Sequence, residues 1–156
     1  MRRICKAFKV GLLSALLLLL VLICTAASFG IRADVVVSGS MEPVISTGSL
    51  CFTNQKDKKI EQGDIIAYRL DDIIVTHRVV DITAEGYITK GDNNDSEDIA
   101  PVSEEQIVGK NIFSIKNAGY IIFFLKSRSG MMALIGSIIF LSVITIIIER
   151  ESRTKE

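Results

Sequence analysis

Apolar and polar positions divide this chain into three stretches. Residues 10–29 carry no charge and include five consecutive leucines, Leu16 to Leu20; about 20 such residues in a helix cross a hydrocarbon core. A second uncharged run covers 131–148 and stops at Glu149. Between the two lies a polar segment of short apolar or alternating runs broken by Gly, Asp and Asn, the pattern of strands and turns. It predicts strands at 34–37, 49–54, 64–70, 73–82, 86–90 and 107–115, with Asp71 and Asp72 forming a tight hairpin turn. The expected fold is therefore mainly β: a small antiparallel β-domain held by two transmembrane α-helices. The boundaries read as a basic tail at 1–9, a first span at 10–31, the β-domain at 32–128, a second span at 129–148 and a tail at 149–156.

A cleavable secretory signal is the rival reading of the first run, since Arg2, Arg3, Lys6 and Lys9 precede it and Ala26, Ala27 and Ser28 are small. The run exceeds the usual apolar core of such signals, roughly 7 to 15 residues, and a second span follows, so a retained anchor fits better. The four basic residues place the N-terminus in the cytoplasm and the β-domain outside it. Tyr120 to Leu125, followed by Lys126, Ser127 and Arg128, reads as an apolar approach to the membrane ending in an interfacial basic cluster.

Charge narrows the partners. From Ala33 to Leu125 there are fifteen acidic and eight basic residues, a net −7, which excludes nucleic acid because phosphate binding needs the opposite sign. The three cysteines are no disulfide framework: Cys5 falls in the tail, Cys24 in the first span and Cys51 alone in the β-domain, where it reads as a small core residue.

Three short blocks carry candidate chemistry. Ser38-Gly39-Ser40-Met41-Glu42-Pro43 follows the apolar run Val35 to Val37; as a bare turn it says little, but it displays a serine at a strand end, where a neighbouring base can activate it. Thr76-His77-Arg78-Val79 holds the single histidine, on the strand face shared by Ile73, Val75 and Val79. A serine hydrolase needs a base, and no other imidazole is present. The third block, Lys90 to Asp98, is an acidic loop. As a calcium loop it fails, because Glu97 stands where glycine is required and Ser103 where the bidentate glutamate belongs. One of its aspartates can instead orient His77.

These blocks, S-G-S-M-E-P, G-D-I-I at Asp64, T-H-R-V and T-K-G-D-N-N with a further aspartate six residues on, resemble in this order the type I signal peptidases of the endoplasmic-reticulum and archaeal branch, which spore-forming bacteria share. The resemblance implies a signal-peptidase-like β catalytic domain and a serine endopeptidase with Ser40 as nucleophile, His77 as general base and Asp98 as orienting carboxylate. It implies an oxyanion hole made by the Ser38 hydroxyl with the Ser40 N–H, and Asp92 as a supporting carboxylate, expected to accept backbone N–H bonds and hold its loop. The usual bacterial branch carries lysine where His77 stands. Implied partners are signal peptides of exported preproteins, bound as an added strand with small side chains in small pockets, the lipid bilayer and a neighbouring secretion translocase. No metal or organic cofactor is implied. The rival readings are a catalytically idle membrane protein whose β-domain binds a partner, and a tethered relative that cleaves itself.

Overall fold

The structure, a computed structural model, describes the backbone of residues 2–153 and the side chains of 10–147 and of Arg150. The basic side chains before Val10, on which the expected orientation rests, lie outside the described residues, as do positions 154–156. The chain divides into two units, one of residues 1–25 with 123–156 and one of residues 26–122.

The first unit holds two long helices, α1 (Arg2–Ser28) and α3 (Arg128–Arg153). Within them Val10–Ser28 and Arg128–Ile147 are long and apolar enough to cross a membrane. Leucines and isoleucines on all sides of both, among them Leu13, Leu17, Ile135 and Ile139, are exposed. A helix buried in a soluble core would hide such side chains, so these match a lipid environment. No proline interrupts either helix, and both outrun the expected spans, α1 beginning at Arg2 and α3 continuing to Arg153.

At its other end α1 stops at Ser28, three residues short of the expected 31. Gly30 takes φ 79° and donates its N–H to the Ala27 carbonyl at 2.9 Å, the left-handed cap that ends many helices. Strand β1 (Ile31–Val35) then starts earlier than position 34, because Ile31 already pairs with Asn54.

The second unit is one six-stranded sheet. It adds β2 (Leu50–Asn54), β3 (Ile65–Leu70), β4 (Ile73–Thr83), β5 (Gly86–Lys90) and β6 (Ile107–Ile115) to β1. The spatial order is β1-β2-β6-β3-β4-β5, and every pairing is antiparallel. The six expected strands are all present within three residues of their expected ends. Leu70 pairs with Ile73 across the Asp71-Asp72 turn, where Asp71 has φ 51°, a left-handed conformation aspartate tolerates. Between β5 and β6 the chain turns back, Tyr87 and Val102 exchanging both backbone hydrogen bonds. The segment expected as an apolar approach is a helix, α2 (Ala118–Lys126). Gly119 fastens its first turn to the sheet, donating to the Gly48 carbonyl at 2.9 Å where a Cβ would lie 2.5 Å from Val35.

Two apolar clusters fill the sheet unit. One gathers Ile60, Ile66, Tyr68, Val79, Val102 and Ile107; the other packs Met41 and Ile45, from the loop after β1, on Cys51. Cys51 is the core residue its sequence position suggested, and burial pushes its thiol pKa up. Ile66 is 0% exposed and pairs directly with His77. Ile66→Ala removes its packing and leaves a cavity, which costs about 2–5 kcal/mol in a core. The variant is expected to melt well below the parent in detergent, read from the thermal transition of its β-sheet signal.

Candidate active site

The strand order places β3, β4 and β5 side by side, and each supplies one polar side chain to the same point. His77 sits at the middle of β4, 7% exposed, facing the interior with Val79 as the two-residue period requires. Its Nδ1 lies 2.7 Å from Asp98 Oδ2. Thr89 on β5 donates to that oxygen at 2.6 Å and Tyr68 on β3 donates to it at 2.9 Å. Asp98 follows β5 and is held there by its own N–H, which donates to the Thr89 carbonyl at 2.8 Å.

Burial alone would raise the Asp98 pKa, but the hydrogen bonds from His77, Thr89 and Tyr68 outweigh it and hold the carboxyl below its ordinary value. Burial pushes the Tyr68 phenol up to about 12, and the bond to Asp98 adds to the rise, so Tyr68 stays a donor. An ionised carboxylate can only accept. In the neutral ring Nδ1 therefore carries the proton, and Nε2 keeps its lone pair.

That lone pair faces Ser40, whose Oγ is 3.1 Å from Nε2. Ser38 Oγ lies 3.2 Å from Ser40 Oγ. The Ser40 hydroxyl has one proton; when it is donated to Nε2, the Ser38 hydroxyl donates to Ser40. The fold thus joins Ser38, Ser40, His77 and Asp98 in one hydrogen-bonded line.

Ser40 reaches this position through its loop. The Val36 N–H donates to the Ser49 carbonyl and the Gly48 N–H to the Val36 carbonyl, extending the β1 pairing up to the serines. Beyond them Met41 and Ile45 are buried, and the Thr47 N–H and hydroxyl donate to Glu42. From the opposite side the Asn93 N–H donates to the Ser40 carbonyl at 2.8 Å. A Cβ on Gly91 would lie 2.6 Å from that carbonyl, so the Gly-Asp block needs glycine for close backbone approach.

Asp92 lies apart from the line. It accepts from Arg78 through both oxygens, at 2.8 and 2.7 Å, and Arg78 also donates to the Gly63 carbonyl. The expectation that Asp92 accepts backbone N–H bonds is corrected: its partner is a guanidinium, whose flat fork matches both oxygens at once. The arginine of T-H-R-V and the aspartate of K-G-D thereby tie β4 to the loop beside Ser40. Sequence reasoning missed Tyr68 and Thr89. Thr89 stood in the T-K-G-D block already singled out, whereas nothing local marks Tyr68.

A cavity of about 360 Å³ is lined by Ser38, Ser40 and His77 together with the apolar side chains of Val35, Val37, Ile73 and Val75. Among the described residues no group of His, Cys, Asp and Glu is arranged to hold a metal ion.

A serine, an imidazole and a carboxylate in hydrogen-bonded series beside an apolar cleft on a β-sheet is the arrangement of a serine hydrolase. Comparison with known families agrees: the model described as Peptidase S24-like matches residues 28–112, and the chain belongs to that family. Its relatives include signal peptidase I W of Bacillus subtilis (strain 168), 46% identical over 88 residues, which are 52% of this chain and 46% of that protein. The human signal peptidase complex catalytic subunit SEC11C is 38% identical over 80 residues, 46% of this chain and 42% of that one. The SEC11 catalytic subunit of Zygosaccharomyces rouxii is 31% identical over 118 residues, 65% of this chain and 71% of that one. The chain spans about half the length of the first of these curated relatives.

The lowered Asp98 pKa has a consequence for stability. Bonds to the ionised form contribute fully above the unfolded value, about 3.9 for aspartate, and are lost as pH falls through the lower folded value. Thr89→Val is expected to lower the melting temperature at pH 7 by about 4–8 °C, the shift of ~1 kcal/mol in a domain of this size. The gap should narrow near pH 3. Melting curves of parent and variant at both pH values check this, and an equal gap at both would contradict it.

Proposed function

We propose that this chain is a membrane-anchored serine endopeptidase of the signal peptidase I type, removing signal peptides from exported preproteins. The observation that carries the proposal is the Ser40–His77–Asp98 line, hydrogen-bonded at 3.1 and 2.7 Å and lying against the apolar cavity. Kinship with signal peptidases supports the substrate class.

Ser40 Oγ bonds to the scissile carbonyl carbon while its proton passes to His77 Nε2. Asp98 keeps the ring in the required tautomer and stabilises the imidazolium. The negative oxygen that forms is met by the Ser40 N–H and the Ser38 hydroxyl; one such donor is worth about 2.7–4 kcal/mol. As the C–N bond breaks, Nε2 returns the proton to the departing amine, and water then releases the acyl-enzyme by the same steps. Asp92, through Arg78, supports the loop that fixes the Ser40 backbone.

The substrate enters extended, its small side chains one and three residues before the cut occupying the cavity beside Val35 and Ile73. Both apolar helices cross the bilayer, with the termini in the cytoplasm and the sheet unit outside, close to the secretion translocase. A signal peptide has its cleavage site beside its own membrane helix, and Ser40, eleven residues after Phe29, is tethered within about 40 Å of the first span. Protease added to spheroplasts is then expected to cut within residues 33–125 and to spare both ends.

Purified protein in detergent, incubated with a preprotein, should release the mature form. Ser40→Ala is expected to abolish release while melting like the parent. Asp98→Asn keeps the shape but favours the wrong tautomer, and turnover should fall about 10⁴-fold. Release that persists in Ser40→Ala would refute the assignment, and binding without any release by the parent would leave a binding module.

A further inference from the structure

A second cavity, of about 730 Å³, touches His77 and Asp98 but neither Ser38 nor Ser40. Its wall combines two chemistries. Leu70, Val75 and Ile99 are apolar, and Ile99 is fully exposed. Asp95 and Glu97, also on the wall, are exposed, and their carboxylates make no hydrogen bond or ion pair with any described residue.

The chemistry says which part of a substrate passes here. The departing amine must receive its proton from His77 Nε2, so the residues after the scissile bond leave beside the imidazole. The first cavity already lies along the serines and takes the residues before the bond. The second meets His77 without Ser38 or Ser40. A wall that combines apolar side chains with unpaired carboxylates fits a long side chain with an aliphatic stem and a cationic head.

We infer that this cavity is the subsite for the first residues of the mature protein, and that Asp95 and Glu97 with Ile99 select lysine or arginine there. The inference rests on the proposed peptidase function and adds a selectivity after the cut to the one before it. Exposed charge pairs are weak singly and screened by salt, so the selectivity is modest and strongest at low ionic strength.

The test uses the full chain in detergent and preprotein substrates identical except at the first three positions after the cut, where one carries lysine, norleucine or glutamate in turn. The expected order of kcat/KM is lysine, norleucine, glutamate, with about threefold to tenfold between the extremes in low salt and less at 0.5 M salt, by the Debye argument. In Asp95→Lys/Glu97→Lys the order between lysine and glutamate should invert, while preference at the positions before the cut is unchanged. In Ile99→Ser both lysine and norleucine should lose rate relative to glutamate. Equal rates for lysine and norleucine, or a double variant that slows all substrates alike, would overturn the inference and leave the peptidase reading intact. Absence of any Ser40-dependent cleavage would overturn both.

Discussion

One oxygen organises this molecule. Asp98 Oδ2 lies within hydrogen-bond distance of His77 on β4, Thr89 on β5 and Tyr68 on β3, so three adjacent strands converge on one acceptor. A partly buried carboxylate would be a liability without partners. With three donors it stays ionised, and that charge fixes which imidazole nitrogen carries the proton. The tautomer that leaves Nε2 open to Ser40 is thus a property of the sheet as a whole. The same bonds pin the chain that follows β5 back onto that strand, so the site and the sheet stabilise each other.

Two of the acidic loop's carboxylates, Asp92 and Asp98, have different partners. Asp98 faces the imidazole, while Asp92 binds Arg78 through both oxygens. Residues 77 and 78 are neighbours on one strand and point to opposite faces, so a single dipeptide contacts both carboxylates and clamps the loop at two points. On either side of Asp92, Gly91 and Asn93 meet the backbone of Ser40. The Ser40 backbone is therefore positioned by main-chain contacts from this loop.

Much of the architecture was legible from residue pattern alone. Alternating runs and Asp/Gly punctuation gave six strands, because a half-buried antiparallel strand must alternate and its turns need residues that tolerate tight geometry. The two long apolar helices were legible because an uncharged run of about 20 residues is plain in the residue pattern. The spacing of the motif blocks also named Ser40, His77 and Asp98 as candidates, through their chemistry and their resemblance to a known family.

Other features depended on strand order and backbone approach, which no local pattern encodes. Tyr68 belongs to the Asp98 cluster because β3 pairs with β4, a neighbourhood set by the whole sheet. Asp92 reads locally as a turn residue, and only the return of its loop to Arg78 made it half of an ion pair. The start of β1 at Ile31 was likewise decided by pairing with β2, since backbone hydrogen bonds to a distant strand offset the weak strand signal of Ile31-Arg32-Ala33. Sequence determined which residues could be chemical and where the chain could be regular, because those follow from side-chain type and period. Tertiary structure decided which of them meet, because that depends on strand order and distances across the fold.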